Sequence, residues 1–551
     1  MSEAPASALR RVGIARRPPS APVRKPATVA APPAAPAAAP AGPRLRDWVG
    51  VVAMVFGLFM AIMDVQIVTS SLTQIQGGLS ASPDEISWVQ TAYLIADVVM
   101  VPLSGALSRL LSTRVLFVTA TLGFTAASAL CATATSLSQM ILYRALQGFS
   151  GGAITPSVFP VIYTKFRGPQ LATLMVLISL ILNLSSTMGP TIGGFLTDTF
   201  SWHWLFLVNI VPGIAVAITV WWLIDIDKPD WSLLRYFDLY GLVLMALFLG
   251  CLQYALQEGP RWDWLADNSI LAAVVVSTAA SVLFFWRVLT YHQPIVDLRA
   301  FTNPNFAIGS FYTFVVGTGL YSATYLIPLF LAQVRGFNAL QIGETVVVTG
   351  LAQMAMSPFS THIARNVDLR VMLAFGIGLF AVAMYLTAGL TNQASFAELL
   401  VPQALRGVAL MCCYIPANLI AFGTLAPDRL KNAAGLYNLT RDLGGAIALA
   451  SLVTLMNNRL HFHWNRLIEH INGARPAVQH FLEMHTGRLD GLISGDAARA
   501  AIKLLADTVQ REALVLTYND LLMLLGAAFA VSLVLMPFVK NPGSALTADR
   551  H

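Results

Sequence analysis

The amino-acid sequence predicts an all-α membrane protein that crosses a bilayer fourteen times. Of its 551 residues, 56% are hydrophobic and only 11% are charged, whereas soluble domains carry about 25% charged residues. The apolar residues form long runs, and roughly 20 such residues suffice to cross about 30 Å of hydrocarbon. Basic residues cluster in alternate short segments between the runs, as expected when Lys and Arg stay on the cytoplasmic side.

The chain begins with a tail, residues 1–47, that is rich in Pro and Ala and has no helical or strand period. This composition is typical of a disordered segment. The tail holds eight basic residues against Glu3 and Asp47, which accounts for the whole net charge of +6. The remainder is neutral, so we do not expect a nucleic-acid partner. No apolar core precedes Trp48, so we expect no cleavable signal peptide, and the basic residues can bind anionic lipid.

The predicted spans follow one another, each bounded by polar residues or by Pro and Gly. They lie near residues 48–70, 86–108, 114–134, 138–161, 170–196, 202–225, 238–257, 269–290, 305–332, 340–363, 371–390, 396–423, 434–458 and 517–540. An even count returns the chain to the side on which it began. Residues 541–551 are therefore predicted to form a second tail on the same side as the first.

Basic residues in the short loops predict the orientation of the chain. The short loops on the outer side carry only Arg261 and Arg335. We therefore place both termini in the cytoplasm. The loops predicted on that side carry Arg109, Arg114, Lys165, Arg167, Lys228, Arg235, Arg287, Arg299, Arg365, Arg370, Arg429 and Lys431.

One predicted outer loop, residues 459–516, is longer than the others and mostly polar. Residues 497–509 have the apolar spacing of a helix, so we expect one or two amphipathic helices lying over the outer face. The loop also contains His461 and His463. Two side chains at this spacing project to opposite sides of a helix, so we expect no metal site.

No cofactor is indicated. The four cysteines lie inside apolar runs, where a thiol behaves as a small hydrophobe; they are Cys131, Cys251, Cys412 and Cys413. The phosphate-binding pattern Gly-x-x-x-x-Gly-Lys-Ser/Thr does not occur, so ATP is not the expected energy source. The remaining energy source is an ion gradient. One charge crossing the membrane potential is worth about 2.3 kcal/mol per 100 mV. We therefore expect a transporter and not an enzyme.

Several short segments carry a more specific pattern. They are Asp-Val-Gln-Ile-Val at 64–68, Ile-Ser-Trp-Val-Gln-Thr-Ala-Tyr at 86–93, Pro-Leu-Ser-Gly-Ala-Leu at 102–107, Arg-Ala-Leu-Gln-Gly at 144–148, Gly-Pro-Thr-Ile-Gly-Gly at 189–194, Trp-His-Trp-Leu-Phe-Leu-Val-Asn at 202–209, and the segments 402–407 and 435–445. In this order they resemble the EmrB/QacA-type drug:proton antiporters, the fourteen-span branch of the major facilitator superfamily. The resemblance covers roughly residues 48–540.

The resemblance implies the major facilitator fold. It divides the chain into a six-helix bundle at 48–225, two inserted helices at 238–290 and a second six-helix bundle at 305–540. It also implies that a proton gradient drives transport. The Gly-Pro motif of the fifth span is associated with antiporters, and thus with export, in this family.

The loop between the second and third spans departs from the family pattern. That loop usually reads Gly-x-Leu-x-Asp-Arg-x-Gly-x-Arg, and residues 105–114 lack its acid and its second glycine. Gly105, Arg109 and Arg114 stay candidates for a gating contact, although topology alone explains both arginines. His203 stands where the family usually has Arg.

Ionisable residues inside spans are the first candidates for function, since each costs about 2.5–3.5 kcal/mol to insert. Asp64 in the first span and Arg144 in the fourth are predicted to couple protons, with a purely structural ion pair as the alternative. Burial and a neighbouring Arg act in opposite directions on a carboxyl group, so such an acid can titrate near neutral pH. Asp97 lies one turn after Tyr93 and is a second proton or cation site, or a hydrogen-bonded structural residue.

A weaker set of candidates lies in the second half and around the cavity. Arg406, Arg441, Asp442 and Glu344 are predicted to form a secondary charge network, with Glu344 alternatively at the outer interface. The predicted lining of the substrate cavity consists of Tyr93, Gln147, Asn183 and Asn438.

The fifth span carries a candidate hinge at Gly189, Pro190, Gly193 and Gly194. These residues remove side chains and one backbone donor, which allows bending and close helix contact. A kinked, tightly packed helix without a pivoting role explains the same residues.

Apolar and aromatic side chains with few polar groups favour lipophilic substrates, because apolar contact is non-directional. The leading hypothesis is a proton-coupled exporter of lipophilic toxic compounds in the bacterial inner membrane. The resemblance further implies a periplasmic adaptor and an outer-membrane channel. A dedicated exporter of an endogenous siderophore or lipid is the alternative, and a transport-inactive membrane receptor is the third hypothesis.

Overall fold

The structure is a computed structural model that describes residues 44–82, 85–291, 293–337, 339–425, 429–490 and 496–538. Within these ranges every regular element is a helix and no strand occurs. The predictions for residues 1–43 and 541–551 fall outside the described residues.

The first half of the chain supplies eight helices. They are α1 Leu45–Ser70, α2 Leu72–Leu79, α3 Trp88–Leu111, α4 Thr113–Ala132, α5 Leu137–Lys165, α6 Gly168–Thr199, α7 Trp204–Leu207 and α8 Ile210–Leu223. Local sequence sets several of these ends. Ser136 accepts a hydrogen bond from the Gln139 amide at the start of α5, which satisfies one of the free N–H groups of a helix terminus.

Nine further helices follow. They are α9 Leu239–Glu258, α10 Asn268–Thr290, α11 Pro304–Gln333, α12 Ala339–Asn366, α13 Leu369–Thr387, α14 Phe396–Phe422, α15 Leu430–Ile468, α16 Pro476–Leu489 and α17 Ala497–Ser532. Short 3₁₀ segments at Trp231–Tyr236, Trp264–Ala266, Leu298–Thr302 and Leu533–Phe538 complete the described elements.

Eleven helical segments among the described residues are long and apolar enough to cross a membrane. The continuous segment Trp204–Leu223, which contains α7 and α8, counts as one of them. Three other helices occupy the fourth, fifth and tenth predicted positions: α5, α6 and α12, with 29, 32 and 28 residues. The all-α membrane fold is confirmed, and the count of fourteen spans stays a prediction.

Helix packing repeats between the two halves. In the first half α3 packs on α5, α4 on α5, and α1 on α6. In the second half α12 packs on α14, α13 on α14, and α11 on α15. Each six-helix bundle thus has the same internal arrangement, and α9 and α10 pack on each other while α9 also contacts α3.

The two bundles meet along α3 with α15 and α6 with α12. A Cβ at Gly105 of α3 would lie 2.9 Å from the Cα of Asn432 in α15, so only glycine permits this approach. Nearby, the rings of Phe159 and Phe422 stack with centroids 5.7 Å apart. The bundles are therefore closed against each other at this end.

The closed end is the one at which α1 begins. Lys165 at the end of α5 pairs with Asp47 in the first turn of α1, with Nζ 3.3 Å from Oδ1. The Tyr163 hydroxyl donates to the Asn418 carbonyl across the two halves at 3.1 Å. We call this the α1 end; the topology prediction places it at the cytoplasmic face.

The predicted outer loop 459–516 differs from expectation because its flanking helices run far into it. α15 has 39 residues and α17 has 36, which corresponds to lengths of about 58 and 54 Å. Residues 497–509 are helical, as expected, and form the first turns of α17, while α16 is a further helix within the predicted loop. That these helices lie over the outer face stays a prediction. No Gly or Pro interrupts this helix before Gly526, so nothing in the sequence stops it.

Candidate functional site

A buried ion pair lies at the centre of the first bundle. Asp64 of α1 and Arg144 of α5 are both 0% exposed, and Nη1 of Arg144 is 2.6 Å from Oδ2 of Asp64. A buried pair of this kind is tolerated only when further hydrogen bonds satisfy its remaining donors and acceptors. Asp64 and Arg144 thus form an ion pair, which is compatible both with the predicted proton coupling and with the purely structural alternative.

Neutral polar side chains surround the carboxylate. Gln147 and Asn209 each donate an amide N–H to Oδ1 of Asp64, at 3.0 and 2.7 Å. The same two amides donate to the hydroxyl of Ser128 at 3.1 Å. Loss of charge at Asp64 would leave Arg144 with neutral acceptors only, so protonation of this carboxyl alters the whole cluster.

Arg144 is held in place by contacts with α3. Its Nε donates to the Val89 carbonyl at 3.1 Å, and its guanidinium carbon lies 4.3 Å from the centre of the Tyr93 ring. Such a cation–π contact helps to hold the guanidinium over the ring. Glycine makes the close approach possible, because a Cβ at Gly148 would lie 2.2 Å from the Tyr93 carbonyl oxygen.

A cavity of about 90 Å³ lies between the two bundles. Tyr93 and Asp97 both line it, as predicted from their spacing of one helical turn. The carboxylate of Asp97 forms no hydrogen bond or ion pair with any residue that the structure describes. The described lining also includes Ala61, Ile62, Val65, Gln66, Leu94, Val101, Gly151, Thr155, Leu320, Tyr321, Arg441 and Asp442.

The second bundle contributes an ion pair to this cavity. Nη2 of Arg441 is 3.0 Å from Oδ1 of Asp442, and the Tyr321 hydroxyl donates to the same oxygen at 3.3 Å. Arg441 and Asp442 are the two members of the predicted secondary charge network that the structure brings together. Arg406 and Glu344 do not line the cavity; Arg406 is buried in the second bundle and Glu344 is exposed.

The other predicted cavity residues lie elsewhere. Gln147 belongs to the Asp64 cluster. Asn438 is 0% exposed and donates to the Ala434 carbonyl of its own helix at 2.8 Å. The side chain of Asn183 lies outside the described residues, so its prediction is untested.

The hinge candidates lie in α6. A Cβ at Gly189 would lie 2.3 Å from the Cβ of Gln66, so α6 approaches α1 closely there. Gly193 and Gly194 continue the same helix, and the side chain of Pro190 lies outside the described residues. The packing supports a tight contact, and the hinge role stays a prediction.

The candidate gating arginines do not join the two bundles. Arg114 faces Asp225, with Nη1 3.8 Å from Oδ1, within the first half. Arg109 lines a second cavity of about 200 Å³ together with Asp238 and Arg299. Gly105, in contrast, lies at the interface of the halves, as described above.

An acid that sequence reasoning missed connects the halves at the α1 end. Asp227, which follows α8, accepts from the Thr113 amide at 3.0 Å and pairs with Lys431 of α15. Lys431 also donates to the Ser108 carbonyl at 3.2 Å. The loop at 105–114 lacks the acid of the family pattern, and Asp227 supplies a carboxylate beside it.

The remaining residues that sequence reasoning missed are Asn209, Ser128 and Glu258. Glu258 is 3% exposed and accepts from the Thr91 hydroxyl at 2.7 Å, which ties α9 to α3. A buried acid near the end of an apolar run was visible in the sequence. Asn209 was visible only as part of a matched motif, and Ser128 carries no distinguishing pattern.

Two helical bundles around an interfacial cavity, with charged clusters buried inside the bundles, define a polytopic membrane transporter. The chain belongs to the Major Facilitator Superfamily, whose sequence profile matches residues 54–449. It is a multi-pass membrane protein.

Curated relatives match over nearly their full length. The chain is 38% identical to "Colistin resistance protein EmrB" of Acinetobacter baumannii, over 91% of this chain and 97% of the relative. It is 28% identical to "Multidrug export protein EmrB" of Escherichia coli K12, over 90% and 95%. The resemblance to the EmrB branch is confirmed.

Solved structures agree in fold. The human organic anion transporter MFSD10 superposes with a TM-score of 0.54 at 13% identity, covering 88% of this chain and 99% of that one. A bacterial homologue of the human lysosomal transporter Spinster, in an inward-facing conformation, gives 0.50 at 13% identity, covering 90% and 98%. At this identity the likeness concerns the fold alone.

Proposed function

We propose that the chain is a proton-coupled antiporter that exports lipophilic toxic compounds across the bacterial inner membrane. One observation carries this proposal. The Tyr93 ring contacts Arg144 on one side and lines the interfacial cavity on the other, so it links the Asp64 cluster to the place where a substrate can bind. The names of the relatives, which refer to multidrug export and colistin resistance, support the export of toxic compounds.

The chemistry follows from the buried pair. Protonation of Asp64 removes the counter-charge of Arg144, so the guanidinium must seek other acceptors and shift against Tyr93. A substrate in the cavity contacts the same ring. Proton and substrate therefore influence each other through Tyr93, and each is expected to disfavour the arrangement that the other requires.

The closed α1 end fits a cycle in which the cavity opens to one side at a time. In our proposal the α1 end faces the cytoplasm, both termini are cytoplasmic, and the extended ends of α15 and α17 project into the periplasm. These projections would contact a periplasmic adaptor, which in turn would lead to an outer-membrane channel. Within this assembly the chain supplies the inner-membrane pump.

Gradient-driven uptake tests the proposal. Purified protein in liposomes with an acidic interior should accumulate tetraphenylphosphonium or ethidium, two lipophilic cations whose charge does not change near neutral pH. Collapse of the pH gradient with nigericin in potassium buffer should reduce uptake to the level of protein-free liposomes. Uptake of equal extent with and without the gradient would refute proton coupling.

A further inference from the structure

Arg406 of α14 is a buried cation with no acidic partner in the part of the chain that the structure describes. Its side chain is 3% exposed. Nη1 donates to the Ala323 carbonyl at 3.4 Å and Nη2 donates to the Thr349 hydroxyl at 2.8 Å, while Nε is buried and unpaired. It forms no ion pair with a carboxylate among the described residues. An uncompensated charge in the interior is costly, so a counter-ion is expected.

Further buried polar atoms without a partner lie on the helices that contact this cation. Thr349 donates to Oε1 of Gln403 at 3.0 Å, so Gln403 and Arg406 meet at one hydroxyl, and Nε2 of Gln403 has no partner. Gln353 lies one turn after Thr349, and neither of its amide atoms is paired. Ser322 adjoins Ala323, and its hydroxyl is also unpaired. These three side chains are at most 1% exposed.

We call Ser322, Thr349, Gln353, Gln403 and Arg406 the Arg406 cluster. Its unpaired groups are rich in donors: a guanidinium N–H, two side-chain amides and a hydroxyl. A buried donor left without an acceptor costs about 1–3 kcal/mol. An acceptor that carries negative charge would satisfy the donors and the charge at once.

The first bundle contains a segment that corresponds to the one around Arg406. Residues 144–148 read Arg-Ala-Leu-Gln-Gly and residues 403–407 read Gln-Ala-Leu-Arg-Gly, the same segment with Arg and Gln exchanged. Both glycines pack alike, because a Cβ at Gly407 would lie 2.3 Å from the Thr349 carbonyl oxygen, as one at Gly148 would lie 2.2 Å from that of Tyr93.

The acid that accompanies the arginine is missing from the second bundle. In the first bundle the carboxylate comes from α1, at Asp64. The helix in the corresponding place is α11, which packs on α14 and α15 as α1 packs on α5 and α6. α11 contains no Asp or Glu, and Ser322 precedes Ala323, whose carbonyl accepts from Arg406.

We infer that the Arg406 cluster binds a monovalent anion in the position that the Asp64 carboxylate occupies in the first bundle. The anion is a halide or a carboxylate, supplied as a free ion or as the acidic group of an amphiphilic substrate. The site is enclosed in this structure, so exchange of the anion requires the helices of the second bundle to move apart.

Anion-dependent stability tests the site directly. The unfolding temperature of the purified full chain in detergent is measured at constant ionic strength while sodium chloride or sodium hexanoate replaces sodium isethionate, whose sulfonate spreads its charge over three oxygens and is a weak hydrogen-bond acceptor. A ligand that binds only the folded state raises this temperature saturably. We expect such a rise of several degrees in the wild type and its loss in Arg406→Gln.

The responses to chloride and to hexanoate distinguish the two possible sources of the bound anionic group. A rise with chloride indicates a free inorganic ion, and a rise with hexanoate alone indicates the acidic group of an amphiphile. An unfolding temperature that does not change with either anion in the wild type would overturn the proposal. The same holds if Arg406→Gln keeps the full wild-type response.

A second variant keeps the proposal testable if Arg406→Gln fails to fold. Ser322→Asp supplies from α11 the acid that α1 has at position 64, so it should raise the unfolding temperature and remove its anion dependence. Ser310→Asp places an acid on the same helix three turns away and should keep the dependence. An unaltered anion response in Ser322→Asp would contradict the proposal. Because binding and not transport is measured, the result is independent of the proposed proton coupling.

Discussion

Asp64 and Asp97 are both acids of the first bundle, yet their surroundings differ. Asp64 is paired with Arg144 and accepts from two amides, whereas Asp97 lines the interfacial cavity without a hydrogen bond or ion pair among the described residues and interacts with Arg441 and Asp442 only at longer range. The first carboxylate holds a cluster together. The second is available to a proton or to a substrate without loss of any internal contact.

This contrast predicts different effects on stability. Asp64→Ala should lower the free energy of unfolding by about 3–5 kcal/mol, because it leaves Arg144 buried without its counter-charge. Asp97→Ala should change it by less than about 1 kcal/mol, since no contact is removed. Unfolding in detergent, followed by circular dichroism, measures both. Similar losses in the two variants would contradict the assignment.

The charged members of the site could be predicted from the sequence, because a charge stands out in an apolar run. Asp64, Arg144, Asp97, Arg441 and Asp442 were all identified in this way. Their neutral partners could not be, since Ser, Asn and Gln are common in spans and the rotation of each helix decides which of them meet. Asn209 and Ser128 became visible only once the helices were packed.

Glycines decide how closely the helices approach. Gly148 of α5 faces the Tyr93 backbone of α3, with no room for a Cβ. Gly378 of α13 has no atom within 4 Å of the place where a Cβ would lie. Small residues at helix contacts are the usual means of close packing in membranes.

These two glycines make a matched test. Gly148→Ala should destabilise the chain by roughly 1–3 kcal/mol, because α3 and α5 must separate, and it should lower transport by displacing Tyr93 from Arg144. Gly378→Ala should be neutral or stabilise by about 0.5–1 kcal/mol, as Ala favours the helix. Equal unfolding temperatures in both variants would show that the α3–α5 contact is looser than described.

The helix ends on the side opposite the α1 end were the least predictable elements. Hydropathy locates the apolar centre of a span, and it does not locate the end of a helix that continues into water. α15 continues as a polar helix beyond its apolar segment, and Nε2 of His463 in this extension lies 2.9 Å from Oδ2 of Asp520 in α17. α17 begins as a polar helix before its apolar segment. The pairing of two helices, which is a tertiary contact, accompanies their extension.

At the scale of the whole molecule, the two bundles are held together at the α1 end. Asp227 and Lys431 join the halves electrostatically, and Phe159, Tyr163 and Phe422 form an apolar contact between them. The ion pair is partly exposed, with side chains 16% and 18% accessible. Its contribution is therefore modest and suited to a contact that breaks in each cycle.

Loss of this pair should open the α1 end more often. In Asp227→Asn, spin labels at the exposed positions Arg167 and Thr424 should show a larger fraction of long distances by double electron–electron resonance. Asp225→Asn is the matched control, because among the described residues Asp225 forms an ion pair with Arg114 of the same half. Identical distance distributions in all three proteins would show that Asp227 does not help to close this end.

The central claim is that Asp64 couples the movement of protons to the movement of substrate through the same protein molecule. Asp64→Asn is the suitable variant, because its side-chain oxygen can still accept from Arg144 while the group cannot ionise. Glu344→Gln makes the same chemical change at an exposed acid and serves as the control.

The most direct measurement is the pH inside acid-loaded proteoliposomes after tetraphenylphosphonium is added outside. For the wild type and for Glu344→Gln, the substrate should release protons and raise the internal pH, whereas Asp64→Asn should respond as protein-free liposomes do. Substrate-induced proton release by Asp64→Asn at the wild-type rate would contradict the claim.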